Sequence, residues 1–340
     1  MVRVGILGFG FMGRMHFDCY ARRDDVRIVA ICDANPERVK VDQVAGNVAQ
    51  TTESVDLSGV EILGDFERML DTVEMDALSI TLPTFLHREY ACRALERGIP
   101  VLCEKPMALN LPDCDAMIQT AEGCGKVLQI GHCIRFWPAY AKAKEFLDSG
   151  RYGELHSLSL RRLSARPTWS HEDWLMNTDR SGGMELDLHI HDSDYVQYLL
   201  GMPNAVFSTG VKGGGNHFEY ITTQYLYEQN VTISAEGTWT AAPSFGFEMS
   251  FHLVAEGATI IFDSTRDPAF RVCPAEGEAF SPSLVSGDGY DGEVDHFLRT
   301  VQGEDLPAVT TLESARDSVR IVEAERRSAL ERKIVTLGTE

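Results

Sequence analysis

Three things are scarce in this 340-residue chain, and each absence narrows its function. No run is long and apolar enough to span a bilayer, which argues against a membrane-spanning protein. Cations are scarce: 31 Lys and Arg stand against 51 Asp and Glu, a formal net charge of −20. A field of that sign repels DNA, RNA and anionic lipid, and no basic stripe offsets it. The eight cysteines form no CxxC pair. A chain able to bury two sizeable cores needs no disulfide staples, so reduced thiols in a cytoplasmic protein are expected. The start, MVRVGILGFGFMG, lacks the basic and apolar regions of a secretion signal. No repeat or low-complexity tract interrupts the chain.

An anion can still bind such a chain at a local device, the N-terminus of a helix. VRVGILGFGFMGRMH has the form of one: a short apolar strand runs into Gly8, Gly10 and Gly13, a G-x-G-x-x-G turn. The first glycine permits the tight turn, the second lets a pyrophosphate reach the backbone, and the third lets helix and strand pack closely. A second strand, VRIVAICD, ends in Asp33, twenty residues past Gly13, where a carboxylate binds the adenosine ribose. Asp33 favours NAD over NADP because a carboxylate repels a 2′-phosphate; Arg38, a turn beyond, weakens that preference and leaves NADP possible.

Strand and helix patterns then alternate: FERMLDTV, MDALSITLP, HREYACRALERG, IPVLCEKP, LPDCDAMIQTAEGCG and KVLQIGH. This order implies a doubly wound parallel sheet, a Rossmann-type α/β domain over residues 1–131. The polar stretch VAQTTESVDLSGV reads as a surface excursion. Ligands of such sheets sit beyond the carboxyl ends of the strands. The expected cofactor-binding set is therefore Gly8, Phe9, Gly10, Phe11, Met12, Gly13, Asp33 and Arg38, with Leu82, Pro83, His87, Glu104 and Lys105 at strand ends. Glu104 and Lys105 raise a question of their own, because charged residues after the apolar IPVLC are costly to bury without a partner or a task. Cys103 beside them is expected to pack within the strand.

From residue 132 to 340 the pattern changes. WPAYAKAKEFLDSG reads as a helix with Pro138 in its first turn. LHSLSLRRLS, EYITTQYLYEQ, VTISAEGTWT, FEMSFHLVAEG, ATIIFD and AFRVC read as strands of a mainly antiparallel sheet. This half is an α+β domain whose sheet leaves one face free, a surface for a homodimer or homotetramer. TLESARDSVRIVEAERRSALE is a late helix, with Thr310 and Glu313 at capping-box spacing.

One segment of this half carries chemistry: WSHEDWLMNTDRSGGMELDLHIHDSDYVQYLLG. Residues 183–200 read as a helix. Asp187 and His191, four apart, share one of its faces, and a histidine beside a carboxylate suits a general base near neutral pH. Asp192 and Asp194 read as solvated or structural. His189-x-His191 with the aspartates also matches a metal site, but residues two apart on a helix diverge, so no metal is expected. Trp169 and Trp174, in a polar loop, are expected to line a pocket, where aromatic faces suit the C–H faces of a sugar or cyclic polyol.

GILGFGFMGRMH, AICD, CEKP and SGGMELDLHIHDSDYVQYLLG together resemble the Gfo/Idh/MocA oxidoreductases, a family that includes glucose–fructose oxidoreductase and inositol dehydrogenases. The resemblance covers almost the whole chain, including GYDGEVDHFLRTV and AERRSAL. It implies a bound nicotinamide cofactor and homo-oligomers. It makes Lys105 the lysine that touches substrate and cofactor, preceding a cis bond to Pro106, and Asp187 and His191 the acid–histidine pair. Arg135 falls where relatives present a substrate-binding side chain. His189 departs from the small residue usual at that place, and the spacing from Asp187 favours His191 as the base. The implied activity is an NAD(P)-dependent dehydrogenase or reductase acting on CH–OH groups of a sugar, polyol or related compound. A nucleotide-bound sensor without turnover, a sugar–sugar oxidoreductase with a retained cofactor, and a metal hydrolase are the alternatives.

Overall fold

The computed structural model describes residues 1–40, 56–168, 170–213 and 215–338. Much of the polar excursion between the second and third strands, and Trp169, lie outside the described residues. The chain forms two compact units. One takes residues 1–133, 169–174 and 289–316; the other takes 134–168, 175–288 and 317–340.

Among the described residues, the first unit is built on six parallel strands: β1 (Val2–Leu7), β2 (Val26–Cys32), β3 (Glu61–Leu63), β4 (Ala77–Ile80), β5 (Val101–Glu104) and β6 (Leu128–Gly131). Their order, β3-β2-β1-β4-β5-β6, is the doubly wound arrangement with its reversal between β1 and β4. β4, β5 and β6 are buried at every position, because helices cover both faces of a parallel sheet. The crossover helices are α1 (Phe11–Ala21), α2 (Phe66–Thr72), α3 (His87–Glu96) and α4 (Leu111–Cys124). Asp65 and Asn110 cap α2 and α4 by accepting backbone N–H groups of Arg68 and Asp113. A fifth helix, α8 (Gly289–Val301), comes from far later in the chain; its Val294, Phe297 and Leu298 join the core of Val4, Ile6, Phe9, Phe17, Tyr20 and Leu102.

The second unit opens with α5 (Pro138–Asp148), as the proline position implies. Its sheet contains β7 (Leu155–Ala165), β8 (Ala205–Lys212), β9 (Phe218–Leu226), β10 (Thr232–Ala241), β11 (Phe247–Ala255), β12 (Ala258–Asp263), β13 (Phe270–Pro274) and β14 (Val335–Thr336), ordered β13-β12-β11-β7-β10-β9-β8-β14. All its pairings are antiparallel except β7 with β10. Leu158, Leu160, Ile233, Phe251 and Leu253 are buried, while Arg161, Glu236 and His252 are reached by solvent and an Arg161–Glu236 pair of 3.2 Å joins neighbouring strands. The remaining helices are the one-turn α6 (Thr178–Ser181), α7 (Ile190–Leu200) and α9 (Leu312–Glu331). The capping-box reading at α9 is off by one residue. Thr311, not Thr310, caps the helix by accepting the Ser314 N–H at 3.1 Å, and Thr310 is buried.

Candidate functional site

In the first unit the three loop glycines answer to three different constraints. Gly8 takes φ +88°, and a Cβ there would stand 2.9 Å from the Thr81 carbonyl oxygen. A Cβ on Gly13 would stand 2.2 Å from the Gly8 carbonyl oxygen, so the start of α1 packs on the turn itself. Around Gly10 nothing lies within 4 Å of that position, leaving space beside the first turn of α1. Gly10 is the N-cap and has no side chain with which to cap the helix itself, and the first turn holds no acid, so the helix end can receive a pyrophosphate. Phe11 and Met12 are half-buried in that turn. Asp33 is bound at both carboxylate oxygens: the Phe9 N–H donates to Oδ2 and the Asn35 N–H to Oδ1, each at 2.8 Å. This carboxylate therefore stands beside the loop, fixed in place. The Arg38 carbonyl accepts from Arg14 at 3.2 Å, and the Arg14 guanidinium lies 4.8 Å over the Phe9 ring.

The glycine geometry separates two effects in one experiment. Gly13→Ala is expected to lower the melting temperature and weaken NADH binding, because its methyl group meets backbone. Gly10→Ala is expected to fold as the parent does and still lose at least tenfold in NADH affinity. Thermal melts and a fluorescence titration read both; tight NADH binding by Gly10→Ala would remove the loop from the cofactor site.

At the end of β5, every residue from Val101 to Ala108 is buried except Lys105. The bond from Lys105 to Pro106 is cis, as the resemblance implies. Glu104 turns inward instead. Its Oε1 lies 2.9 Å from Nε2 of His16, and its Oε2 accepts the Lys105 backbone N–H at 3.2 Å. Burial pushes Glu104 up, but His16, Lys105 and His87 outweigh it and hold the carboxyl below its ordinary range. The partner that Glu104 needs is thus a helix residue that sequence reading did not single out. His16 lies three residues past Gly13 in a helix whose residues 13–20 are all buried. His16, Glu104 and Glu293 of α8 also bring three ligand-type atoms within 4.8 Å of one another.

His87 corrects the expected cofactor set in a similar way. Its ring is buried, with Nε2 2.9 Å from the Leu82 carbonyl and Nδ1 2.8 Å from the Pro106 carbonyl. Burial holds this imidazole below its ordinary range, and the neutral ring can donate to only one carbonyl at a time. His87 and Glu104 therefore hold the strand-end loops in place, while half-buried Leu82, Pro83 and Lys105 present those loops to solvent.

In the second unit the helix expected over 183–200 is interrupted. Glu185–His189 forms a π-helical turn, in which the Ile190 N–H reaches the Glu185 carbonyl, and α7 follows. Such widened turns are frequent at functional sites. Every residue from Ser181 to Gln197 is buried except Asp187 and His191. The choice between the two histidines follows. His189 is fully buried, with Nε2 3.5 Å from Oε2 of Glu325, and a Cβ on Gly237 would come within 2.8 Å of its Nδ1. His189 is buried and His191 half-buried, so the two rings stand in different surroundings.

Burial alone would lower the His189 pKa; Glu325, with Asp192 and Glu185, outweighs it and raises the group above its ordinary value. A raised histidine contributes stability that is complete below the unfolded value of about 6.5 and is lost as pH climbs through the folded value. The melting temperature of the parent is therefore expected to fall across that alkaline window more steeply than that of His189→Gln. Parallel curves would show that the pair carries no such linkage.

Arg135, expected to present a substrate-binding side chain, is instead buried against a carboxylate. Its side chain is 2% exposed and makes a two-pronged pair with Asp194, at 2.9 and 2.7 Å, which also accepts from Ser318 at 2.6 Å. Arg162 and Asp192 form a second buried pair of the same kind. Asp192 and Asp194 are structural, not solvated. Trp174 is half-buried beside Glu172 and Asp173, both at positive φ.

The glycine loop, Asp33 and the doubly wound sheet define a nucleotide-binding type of fold, and comparison with known proteins places it. Residues 2–132 match the model of the oxidoreductase family with an NAD-binding Rossmann fold, and residues 140–261 match the GFO/IDH/MocA C-terminal domain. The chain belongs to the Gfo/Idh/MocA family, and its first unit carries that family's NAD-binding fold. Among its relatives, a 2,7-anhydro-N-acetylneuraminate hydratase of Mediterraneibacter gnavus is 31% identical over 62% of this chain and 52% of its own length. This chain thus spans about half the length of the first curated relatives it matches. A myo-inositol 2-dehydrogenase of Thermotoga maritima is 25% identical over 99% of this chain and 98% of its own. The aldose–aldose oxidoreductase of Caulobacter crescentus, solved with glycerol, superposes with a TM-score of 0.82 at 22% identity, covering 99% of each chain. Among the described residues, no helix is long and apolar enough to cross a membrane.

Proposed function

We propose that this protein is an NAD-dependent oxidoreductase acting on a CH–OH group of a sugar, an inositol-like polyol or a related hydroxy compound. The observation that carries the proposal is selective exposure. In two otherwise buried segments, the residues left to solvent are Lys105 in one and Asp187 with His191 in the other. Bound NAD supplies the hydride acceptor. His191 takes the hydroxyl proton of the substrate, and Asp187 orients the imidazole or binds a neighbouring hydroxyl. Lys105 donates a hydrogen bond to the substrate oxygen as negative charge develops on it. Asp33 favours NAD, because its carboxylate is fixed beside the loop and repels a 2′-phosphate. Trp174 offers an aromatic face to the substrate ring. Eight free thiols fit a reducing cytoplasm, and the solvent-reached face of the antiparallel sheet fits a homodimer or homotetramer.

A panel assay tests this reading. Purified protein with NAD, and separately NADP, is offered inositols, aldoses, amino sugars, uronic acids and anhydro sugars while reduced-nicotinamide absorbance is followed. A signal with one group identifies the substrate class; silence despite NADH binding supports the non-catalytic sensor. One relative being a hydratase favours a second arm, in which the protein is incubated without added cofactor and the products are weighed by mass spectrometry. A conversion there with no net change in nicotinamide redox state marks a cofactor retained and recycled on the protein.

A further inference from the structure

The first unit contains a buried polar chain that none of the proposed chemical steps uses. The Tyr20 hydroxyl lies 2.6 Å from Oγ of Ser79, and that Oγ lies 3.1 Å from Nδ1 of His16. Nε2 of the same ring lies 2.9 Å from Oε1 of Glu104, whose other oxygen accepts the Lys105 N–H. Glu293 of α8 adds a second carboxylate 3.9 Å from that Nε2. All of these side chains are buried in the unit that also holds the glycine loop. Burying a carboxylate and an imidazole together is costly, and the arrangement is tolerable only where both are satisfied. Here the imidazole meets a hydroxyl and a carboxylate at its two nitrogens. The chain joins four elements: α1, which starts at the glycine loop and meets β4, the end of β5 and α8.

We propose that His16 and Glu104 are positioning residues that couple occupancy of the glycine loop to the backbone of Lys105. The role of Lys105 in this proposal rests on the function argued above. The imidazole orients the Glu104 carboxylate so that its second oxygen holds the Lys105 N–H. A small movement of α1 when the pyrophosphate binds is thereby passed to the lysine. Amide hydrogen exchange, read by mass spectrometry on peptides containing residues 104 and 105, tests this without a known substrate. In the parent, NADH slows exchange at this site. In His16→Leu, exchange is at least tenfold faster, NADH no longer slows it, and the NADH dissociation constant stays within threefold of the parent. His16→Gln, which keeps an N–H facing Glu104, restores the slow exchange and the NADH effect; Glu104→Leu behaves as His16→Leu does. With a substrate in hand, kcat falls in the two leucine variants while KM for NAD holds. Unchanged exchange in His16→Leu, or an NADH effect that survives in it, overturns the coupling. So does acceleration spread evenly over the unit and not rescued by glutamine, which marks a purely structural role. Failure of the parent to bind NADH would count against the cofactor reading, while the exchange rates without NADH still decide whether His16 holds Lys105.

Discussion

Lys105→Ala is expected to lose about 10²–10³-fold in turnover while binding NADH within a few-fold of the parent. The size follows from what the residue is asked to do. A donor aimed at a developing oxyanion contributes most in the transition state, so its removal lowers kcat more than it raises KM. The buried partners of Lys105 reinforce the point. Glu104, Pro106 and Met107 are packed away, and truncating the one solvent-reached side chain in the segment leaves their packing in place. His191→Ala is expected to lose about 10²–10⁴-fold, the range for a general base. The double variant should lose less than the product of the two if the residues act as a unit in one step, as proposed. Stopped-flow absorbance with the substrate found in the panel reads these values. Full turnover in either single variant would remove that residue from the mechanism.

Arg135→Met is expected to have the largest effect on stability, about 3–5 kcal/mol. It strips the paired guanidinium from the fully buried Asp194 in a medium that solvates charge poorly. Denaturant unfolding measures the loss. Arg135→Met combined with Asp194→Leu should recover most of it, since removing both charges also removes the desolvation problem. A single variant as stable as the parent would mean that solvent reaches the pair.

These two predictions mark where the sequence was legible and where it was not. The glycine turn, Asp33 and the strand–helix alternation could be read because each is a local pattern with a local cause, and the doubly wound parallel sheet followed from general rules of chirality and connection. Asp187 and His191, singled out by spacing, are the residues of their segment that solvent reaches, although that segment contains a π turn that no periodicity shows. Arg135 misled because a lone arginine after a strand looks the same whether its partner is a ligand or a carboxylate 59 residues away. Glu104 and His87 misled in the same way: a polar residue at a strand end marks the neighbourhood of a site, but only tertiary contacts tell whether it faces the ligand or supports the loop that does. His16, Glu293 and Glu325 were invisible as a group because their partners are brought together by the fold.

The contribution of α8 to the first unit bears on how the protein is made. The glycine loop leaves the ribosome first, yet Val294, Phe297 and Leu298, which complete the core behind it, follow more than 270 residues later. Until then a nascent nucleotide domain exposes apolar surface that the finished protein hides. A fragment ending at residue 133 is accordingly expected to bind chaperones and aggregate, and adding residues 289–316 as a separate peptide to restore NADH binding. The last-made part of that unit thus acts as a checkpoint: a truncated chain carries the whole cofactor fingerprint without the core that keeps it soluble.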